Sequence, residues 1–223
     1  NTIVQFSKEY ATLKVIRFAE NRGHAAARQA GIDNARNELV AIMDSDDIAV
    51  PNRMEQQLDF MSRHPNTDVL GGQIEEFIGE TNNVVGRRVV PTGNKEIKRY
   101  LKSRCPMNLM TILCKKSAVL SVGGFKDWFC EEDYYLWIRM SLAEKRMANV
   151  DTTLCHVRVG EEMYQRRGGW KYFKSERGIQ RYMWQHHLIT YPRYCYNVFI
   201  RFLVQVAMPN KMRGWVFRKF ARQ

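Results

Sequence analysis

Leu39-Val40-Ala41-Ile42-Met43-Asp44-Ser45-Asp46-Asp47 is an apolar run closed by three carboxylates within four residues, and Pro51 and an amphipathic segment follow it. A short apolar run bounded by turn formers reads as a buried strand, and an acidic cluster at a strand's carboxyl end lies where open α/β sheets bind ligands. Carboxylates this close raise one another's pKa unless a cation neutralises them, so the cluster suits a hard divalent metal bridging to phosphate oxygens. The structural alternative is a solvated Asp-rich turn that caps the helix beginning near Pro51.

Upstream, Leu13-Lys14-Val15-Ile16-Arg17-Phe18 alternates apolar and basic residues as a strand does, and Glu20-Asn21-Arg22-Gly23 turns into the helix former Ala25-Ala26-Ala27-Arg28-Gln29-Ala30. Asn21, Gly23 and Arg28 offer backbone N–H groups and a guanidinium to a diphosphate; an ordinary loop with a surface arginine is the plainer reading.

Downstream, Arg53 to Arg63 predicts a helix whose Met54, Leu58 and Met61 share one face and are assigned to the core. Two strands are expected at Thr67 to Ile74 and Asn83 to Val90, joined by a polar turn at Gly79 to Asn82, and Lys95 to Lys102 predicts a short basic helix. Met107 to Leu113 runs into a second short helix, Lys116 to Leu120, and then Gly123-Gly124-Phe125, whose glycines permit either a plain turn or close approach to a ligand. Cys130-Glu131-Glu132-Asp133 opens another helix with three acids in its first turn. Such acids favour the macrodipole, and near a metal site one would stay ionised to accept a proton. Ala148 to Val159 predicts the last strand.

With 223 residues the chain can bury one sizeable core and carry a terminal appendage. Five cysteines, an odd number with no C-x-x-C pair, argue against a disulfide framework or a zinc knuckle and fit a reducing cytoplasm. The sequence has no apolar run of about 18 residues, so no single helix is expected to span a bilayer. It has no signal peptide and no starting Met, and Asn1 to Tyr10 reads as mid-helix, so a fragment of a longer protein is expected.

The net charge of +12 is unevenly placed: residues 163–223 hold 13 Lys/Arg and the single acid Glu176, whereas residues 1–162 hold 22 of each sign. That split suggests two segments, 1–162 and 163–223, with different partners. In the second, helices expected at Lys174 to His187, Tyr194 to Met208 and Met212 to Arg222 mix apolar-aromatic runs with Arg and Lys. This composition suits helices lying in the interface of an anionic membrane; the plainer alternative is helices that cover the apolar surface of residues 1–162, and both hold if one face packs inward and the other meets lipid.

Four features in fixed order, Asn21-x-Gly23 with Ala27-Arg28, Asp44-Ser45-Asp46-Asp47 with Pro51 and Arg53, Gly123-Gly124-Phe125, and Glu132-Asp133 with Leu136-Trp137, resemble the inverting family 2 glycosyltransferases of bacterial capsule, exopolysaccharide and O-antigen synthesis. The resemblance covers roughly residues 11–160. It implies the GT-A fold, an α/β architecture with a mixed, mainly parallel sheet flanked by helices, here with a basic amphipathic helical C-terminal segment. It also implies a nucleotide-diphosphate sugar donor, a lipid-linked saccharide acceptor, Mn²⁺ or Mg²⁺ as cofactor, and a cytoplasmic enzyme peripheral to the cell membrane. Asp44 would lie near the ribose and, with Asp46, hold the metal between the donor phosphates. Arg28 would line the nucleotide pocket, Glu132 would position the acceptor, and Asp133 would be the general base.

Three departures from the family pattern qualify this. The first strand and helix would precede Asn1, so weak donor binding is expected of the chain as given. Val157-Arg158-Val159-Gly160 has Gly where relatives carry a His near the metal, and His156 lies on the other side of Arg158. Gln165-Arg166-Arg167-Gly168-Gly169-Trp170 breaks the spacing of the processive Gln-x-x-Arg-Trp pattern, favouring single addition. Two other classes compete. One is a basic nucleic-acid-binding module, disfavoured by long apolar faces such as Val198 to Val204, so that no nucleic-acid partner is expected. The other is a nucleotidyltransferase, whose Gly-rich loop would lie upstream of Asn1.

Overall fold

Gly71 and Gly72 fix the middle of the sheet. A Cβ on Gly71 would overlap Asn149 Oδ1, and one on Gly72 would sit 2.5 Å from Leu154 Cδ1, so the two central strands approach this closely only because both residues lack side chains. The structure, a computed structural model, describes residues 5–6, 9–160 and 168–208. The central strands are β3 (Val69–Phe77) and β6 (Met147–Arg158), which run parallel from Val69↔Met147 to Phe77↔Arg158. β1 (Leu39–Ala41), β2 (Ile48–Ala49), β4 (Val84–Arg88) and β5 (Leu113–Lys115) complete a sheet of order β1-β5-β3-β6-β2, with β4 along the far half of β3.

Around the sheet lie α1 (Gly23–Asn34), α2 (Arg53–Arg63), α3 (Asn94–Leu101), α4 (Lys116–Ser121) and α5 (Glu132–Leu142), followed by the C-terminal pair α6 (Trp170–Gln185) and α7 (Tyr191–Phe202). The expected α/β architecture, a mixed sheet flanked by helices, is therefore present. Its balance of directions differs from expectation, since only the β3–β6 ladder among the described residues is parallel and the other four are antiparallel. The physical reason is that Leu13 to Phe18 forms no ladder, and β5 enters antiparallel between β1 and β3. For the same reason β1 is an edge strand rather than a buried one: Leu39 and Ala41 are exposed, and the run becomes buried only at Ile42.

The α2 helix forms where expected but buries a different face. Met54 and Leu58 are 41% and 45% exposed, and of the three expected core residues only Met61 is buried. Its neighbours on the inner face are Arg53 and Gln57. Arg53, 3% exposed, donates to the carbonyls of Ile42 (2.9 Å) and Ile112 (3.2 Å), and Gln57 donates to the carbonyl of Thr111 (2.8 Å). The Ile112 carbonyl also accepts from the Ile42 N–H, so Arg53 is its second donor, and a buried carbonyl without a donor costs about 1–3 kcal/mol. Side-chain hydrogen bonds thus outweigh the apolar stripe in orienting the helix.

The main core gathers around α5, where Tyr134, Leu136, Trp137, Ile138 and Met140 are fully buried. The described part of the basic segment shares that core through Ile179, Met183 and Ile189. Asn197 Nδ2 donates to the carbonyl of Lys102 at 2.9 Å, and Arg201 pairs with Glu176 while donating to the carbonyl of Ser103 at 2.7 Å. The division near residue 162 is one of charge, whereas the packing is continuous from residues 9–160 into 168–208. The helix expected at Met212 to Arg222 and the Gln165-Arg166-Arg167 part of the processive-like pattern lie outside the described residues.

Candidate active site

The loop after β1 is set by Arg53. Its guanidinium holds the Ile42 carbonyl and lies 3.2 Å from Met43 Sδ, and the Ile42 N–H donates to the Ile112 carbonyl at 2.8 Å. Burial lowers the pKa of this guanidinium from its ordinary value. The chain leaves that clamp at Asp44.

Asp44 Oδ1 accepts from Arg28 Nη2 at 3.2 Å, and Arg28 Nη1 donates to Glu132 Oε1 in a closer contact, so one half-buried guanidinium joins the end of β1 to the start of α5. His24 Nδ1 stands 3.9 Å from the same Glu132 oxygen. Arg28 reaches both because α1 is fastened in place: Gln29 Oε1 accepts from the Phe125 N–H at 2.7 Å, and Arg139 Nη2 donates to the Gly124 carbonyl at 2.7 Å. Gly123 and Gly124 have φ of 83° and 66°, and Gln29 Cδ would lie 2.6 Å from any Gly124 Cβ. The glycine pair is therefore a left-handed turn that clips α1 to α5, and no ligand is needed to account for it.

Of the three acids after β1, Asp46 is exposed and makes no hydrogen bond or ion pair among the described residues. Asp47 Oδ1 accepts from the Arg158 N–H at 3.0 Å, yet burial, with Asp46 and Asp44 adding to it, pushes its carboxyl up to about 6. The like charges are thus felt in the fold, and a divalent cation at Asp44 and Asp46 would relieve them. Among the described residues no group of three His, Cys, Asp or Glu forms a cage for a metal. Two carboxylates of one loop do fit the way Mg²⁺ is commonly held, by one or two carboxylates with substrate phosphates and water completing the shell. His156 pairs across the ladder with Ile48 and lies 3.5 Å from Glu75 Oε2, which places it against a different acid.

Asp133 follows Glu132 in the first turn of α5, but its side chain points elsewhere. Oδ1 accepts from the Tyr134 N–H at 2.7 Å, and Oδ2 lies 3.7 Å from the Cys105 thiol. Burial raises its carboxyl above the ordinary value, with neighbouring Glu132 adding, and the Tyr134 N–H, Arg88 and Arg28 partly oppose this. A carboxylate so tuned is a better proton acceptor than a solvated one. The structure brings together Arg28, Asp44 and Glu132 in direct contact with Asp133 adjoining, and leaves Asp46 at the rim. Sequence reasoning missed Gln29, Arg88, Cys105 and Tyr172. Arg88 Nη2 donates to the Cys105 carbonyl at 2.9 Å, and the Tyr172 hydroxyl donates to Glu131 Oε1 at 2.8 Å. These pairings are 17 and 41 residues apart in sequence and carry no local signal.

Residues 2–129 match the model of the family described as Glycosyl transferase family 2. The chain belongs to glycosyl transferase family 2. Over its whole length it is 30% identical to the UDP-Gal:alpha-D-GlcNAc-diphosphoundecaprenol beta-1,3-galactosyltransferase of Escherichia coli, covering 80% of that protein. Over 74% of its length it is 42% identical to an uncharacterized glycosyltransferase of Haemophilus influenzae, of which it spans 61%. The fold matches that of S. aureus TarS 1-349, solved in complex with UDP-GlcNAc, with a TM-score of 0.62 at 17% identity, covering 98% of this chain and 67% of that one. The family 2 assignment and the GT-A likeness expected from the motifs thus hold. Among the described residues no helix is long and apolar enough to cross a membrane.

Proposed function

We infer that this chain transfers a sugar, with inversion and one residue at a time, from a nucleotide-diphosphate sugar to a hydroxyl of a lipid-linked saccharide in surface polysaccharide biosynthesis. The observation that carries the reading is the contact set Asp44–Arg28–Glu132 at the end of β1 with Asp133 beside it in a desolvated position. Asp44 takes the ribose side of the donor, and Arg28 turns its guanidinium toward the diphosphate. Asp44 and Asp46 would hold Mn²⁺ or Mg²⁺, which when bound offsets the negative charge of the diphosphate.

Glu132 positions the acceptor and Asp133 accepts the proton of its hydroxyl. The freed oxygen pair bonds to the anomeric carbon as the bond from that carbon to the diphosphate oxygen breaks, and the nucleoside diphosphate leaves with the bonding pair. The basic segment holds the enzyme on the cytoplasmic face of an anionic membrane, where such an acceptor resides, and nucleic acid plays no part.

The test is transfer of labelled sugar from a panel of UDP-sugars to GlcNAc-diphosphoundecaprenol by a protein comprising this chain and any upstream residues it has. Asp133→Asn should cut kcat by about 10²–10⁴-fold while leaving donor affinity nearly intact, the usual scale of general-base loss. Asp46→Ala should abolish transfer and weaken metal-dependent donor binding. Unchanged turnover in Asp133→Asn, or full loss in Glu132→Gln alone, would assign the base to another residue.

A further inference from the structure

The turn between α6 and α7 and the C-terminal end of α3 enclose an open groove of about 870 Å³. Its walls carry Arg99, Lys102, His187 and Arg193 beside Trp184 and Tyr191, and no acidic side chain among the described residues lines it. None of Arg99, Lys102 and Arg193 makes an ion pair among the described residues, in contrast to Arg201 a little further along α7, which is committed to Glu176. The aromatic side is a packed cluster: Trp184 is tilted against Tyr191 at 5.2 Å and stacked on Tyr194 at 5.6 Å between ring centroids. At the groove's edge His187 holds a φ of 59°, a left-handed conformation that glycine would adopt at lower cost.

The groove is continuous with two other surfaces. On α7, Arg193, Tyr196, Phe199 and Ile200 follow one another at helical spacing on the outward face, with Tyr196 and Phe199 each 58% exposed, while Asn197 and Arg201 face inward. On the inner side, the carbonyls of Lys102 and Ser103 are gripped by those two inward residues, and the chain runs on from Lys102 to Cys105, whose thiol meets Asp133. The Cα atoms of Lys102 and Cys105, three residues apart, are at most about 11 Å from one another, so the backbone at the groove's wall leads directly to the residue in contact with Asp133.

A base, a cluster of cations with no ion pair among the described residues, and an apolar-aromatic helix face thus follow one another through residues that touch. A polyprenyl-diphosphate-linked sugar has its hydroxyl, its diphosphate and its hydrocarbon in that same order. We propose that the groove of Arg99, Lys102 and Arg193 seats the diphosphate of the lipid-linked acceptor, with the outward face of α7 resting in the membrane interface where the hydrocarbon begins. This rests on the glycosyltransferase reading above and adds to it the site at which the acceptor's anionic link is held. Arginine and lysine suit the spread charge of a diphosphate, and exposed Tyr and Phe suit the boundary between head groups and acyl chains.

The test is flotation of the whole chain, without donor or metal, on phosphatidylcholine vesicles carrying undecaprenyl diphosphate and on vesicles given the same surface charge with phosphatidylglycerol. The intact chain should bind the first at least tenfold more tightly, and millimolar inorganic pyrophosphate should remove that preference. Arg99→Ala, Lys102→Ala and Arg193→Ala combined should abolish the preference with the circular-dichroism spectrum unchanged; if the triple variant unfolds, the exposed Lys102→Glu alone should reduce it. Phe199→Ser with Ile200→Ser should weaken binding to both vesicles alike. Equal binding of the intact chain to both, or a preference that survives the cation substitutions, overturns the assignment, the first outcome marking the groove as a general anionic-lipid surface. A protein comprising this chain and any upstream residues it has that keeps the preference but transfers no sugar removes the catalytic reading instead, whereas one that transfers sugar without the preference removes the groove alone.

Discussion

Gly124→Ala tests whether the clip between α1 and α5 is what sets the site. Gly124 sits at φ 66°, and a methyl there would overlap the Gln29 amide. Holding alanine in the left-handed region costs about 1–2 kcal/mol. Displacing Gln29 removes its hydrogen bond to the Phe125 N–H, worth about 0.5–1.5 kcal/mol. The variant should therefore lose about 2–3 kcal/mol, which for a chain of this size is about 5–10 °C in Tm. The measurement is urea and thermal unfolding of four proteins: wild type, Gly124→Ala, Gln29→Ala and the double variant. Because both single changes destroy the same hydrogen bond, the double variant should cost about 1 kcal/mol less than the sum of the singles. A Gly124→Ala protein within about 0.5 kcal/mol of wild type, or strictly additive costs, would refute the clip. A clip that fails should also take donor affinity with it, since Arg28 stands one residue before Gln29.

Arg53→Met keeps length but strips the guanidinium donor from the Ile42 carbonyl and the second donor from the Ile112 carbonyl, and should cost about 1–3 kcal/mol in urea unfolding, whereas Leu58→Ser on the exposed side should stay within about 0.5 kcal/mol. Asp47 has its carboxyl raised from 3.8 to about 6, so its contribution to stability is present below about pH 4 and lost as pH rises through 6. Asp47→Asn should accordingly be the more stable protein at pH 7–8, by about 1 kcal/mol once solvent screening of a half-exposed side chain is allowed for, and the gain should vanish near pH 4 in a series of urea midpoints. Cys105→Ser sets a stronger donor against Asp133 and should move the acid limb of the kcat/KM profile to lower pH, while Cys105→Ala should move it to higher pH; shifts in the same direction would dissociate the thiol from the base.

The residues that local chemistry dictates were legible in the sequence. Asp44 after an apolar run, the acids opening α5 and the turn at Gly123-Gly124 each depend on neighbours within a few positions, and each lies in the element expected for it. Arg28 could be placed on a helix, but its bridge to Glu132 spans 104 residues and follows only from Gln29 and Arg139 fastening the loop between them. The face of α2 was misjudged because Met54 and Leu58 carry the apolar signal, whereas the buried Arg53 and Gln57 answer backbone carbonyls that become visible only once β3, β5 and the segment at Thr111 have come together. The strand expected at Leu13 to Phe18 has the right alternation, yet alternation alone cannot supply a ladder partner. In the basic segment composition disclosed the charge and the apolar runs, but the inward turn of Asn197 and Arg201 depends on the carbonyls of Lys102 and Ser103, nearly a hundred residues away.

The central parallel ladder imposes a delay on the newborn chain. Val69 finds its partner in Met147, and Phe77 in Arg158, so the middle strand must wait for roughly 80 further residues before its second edge is covered. At ribosomal speeds of about 5–20 residues per second that interval is about 4–16 s. During it an apolar segment with paired glycines and an unpaired edge is available to other nascent chains, and chains cut before residue 147 keep that edge permanently. Yield of this protein in cells should therefore respond more to translation rate and chaperone supply than to changes in the surface of the finished fold.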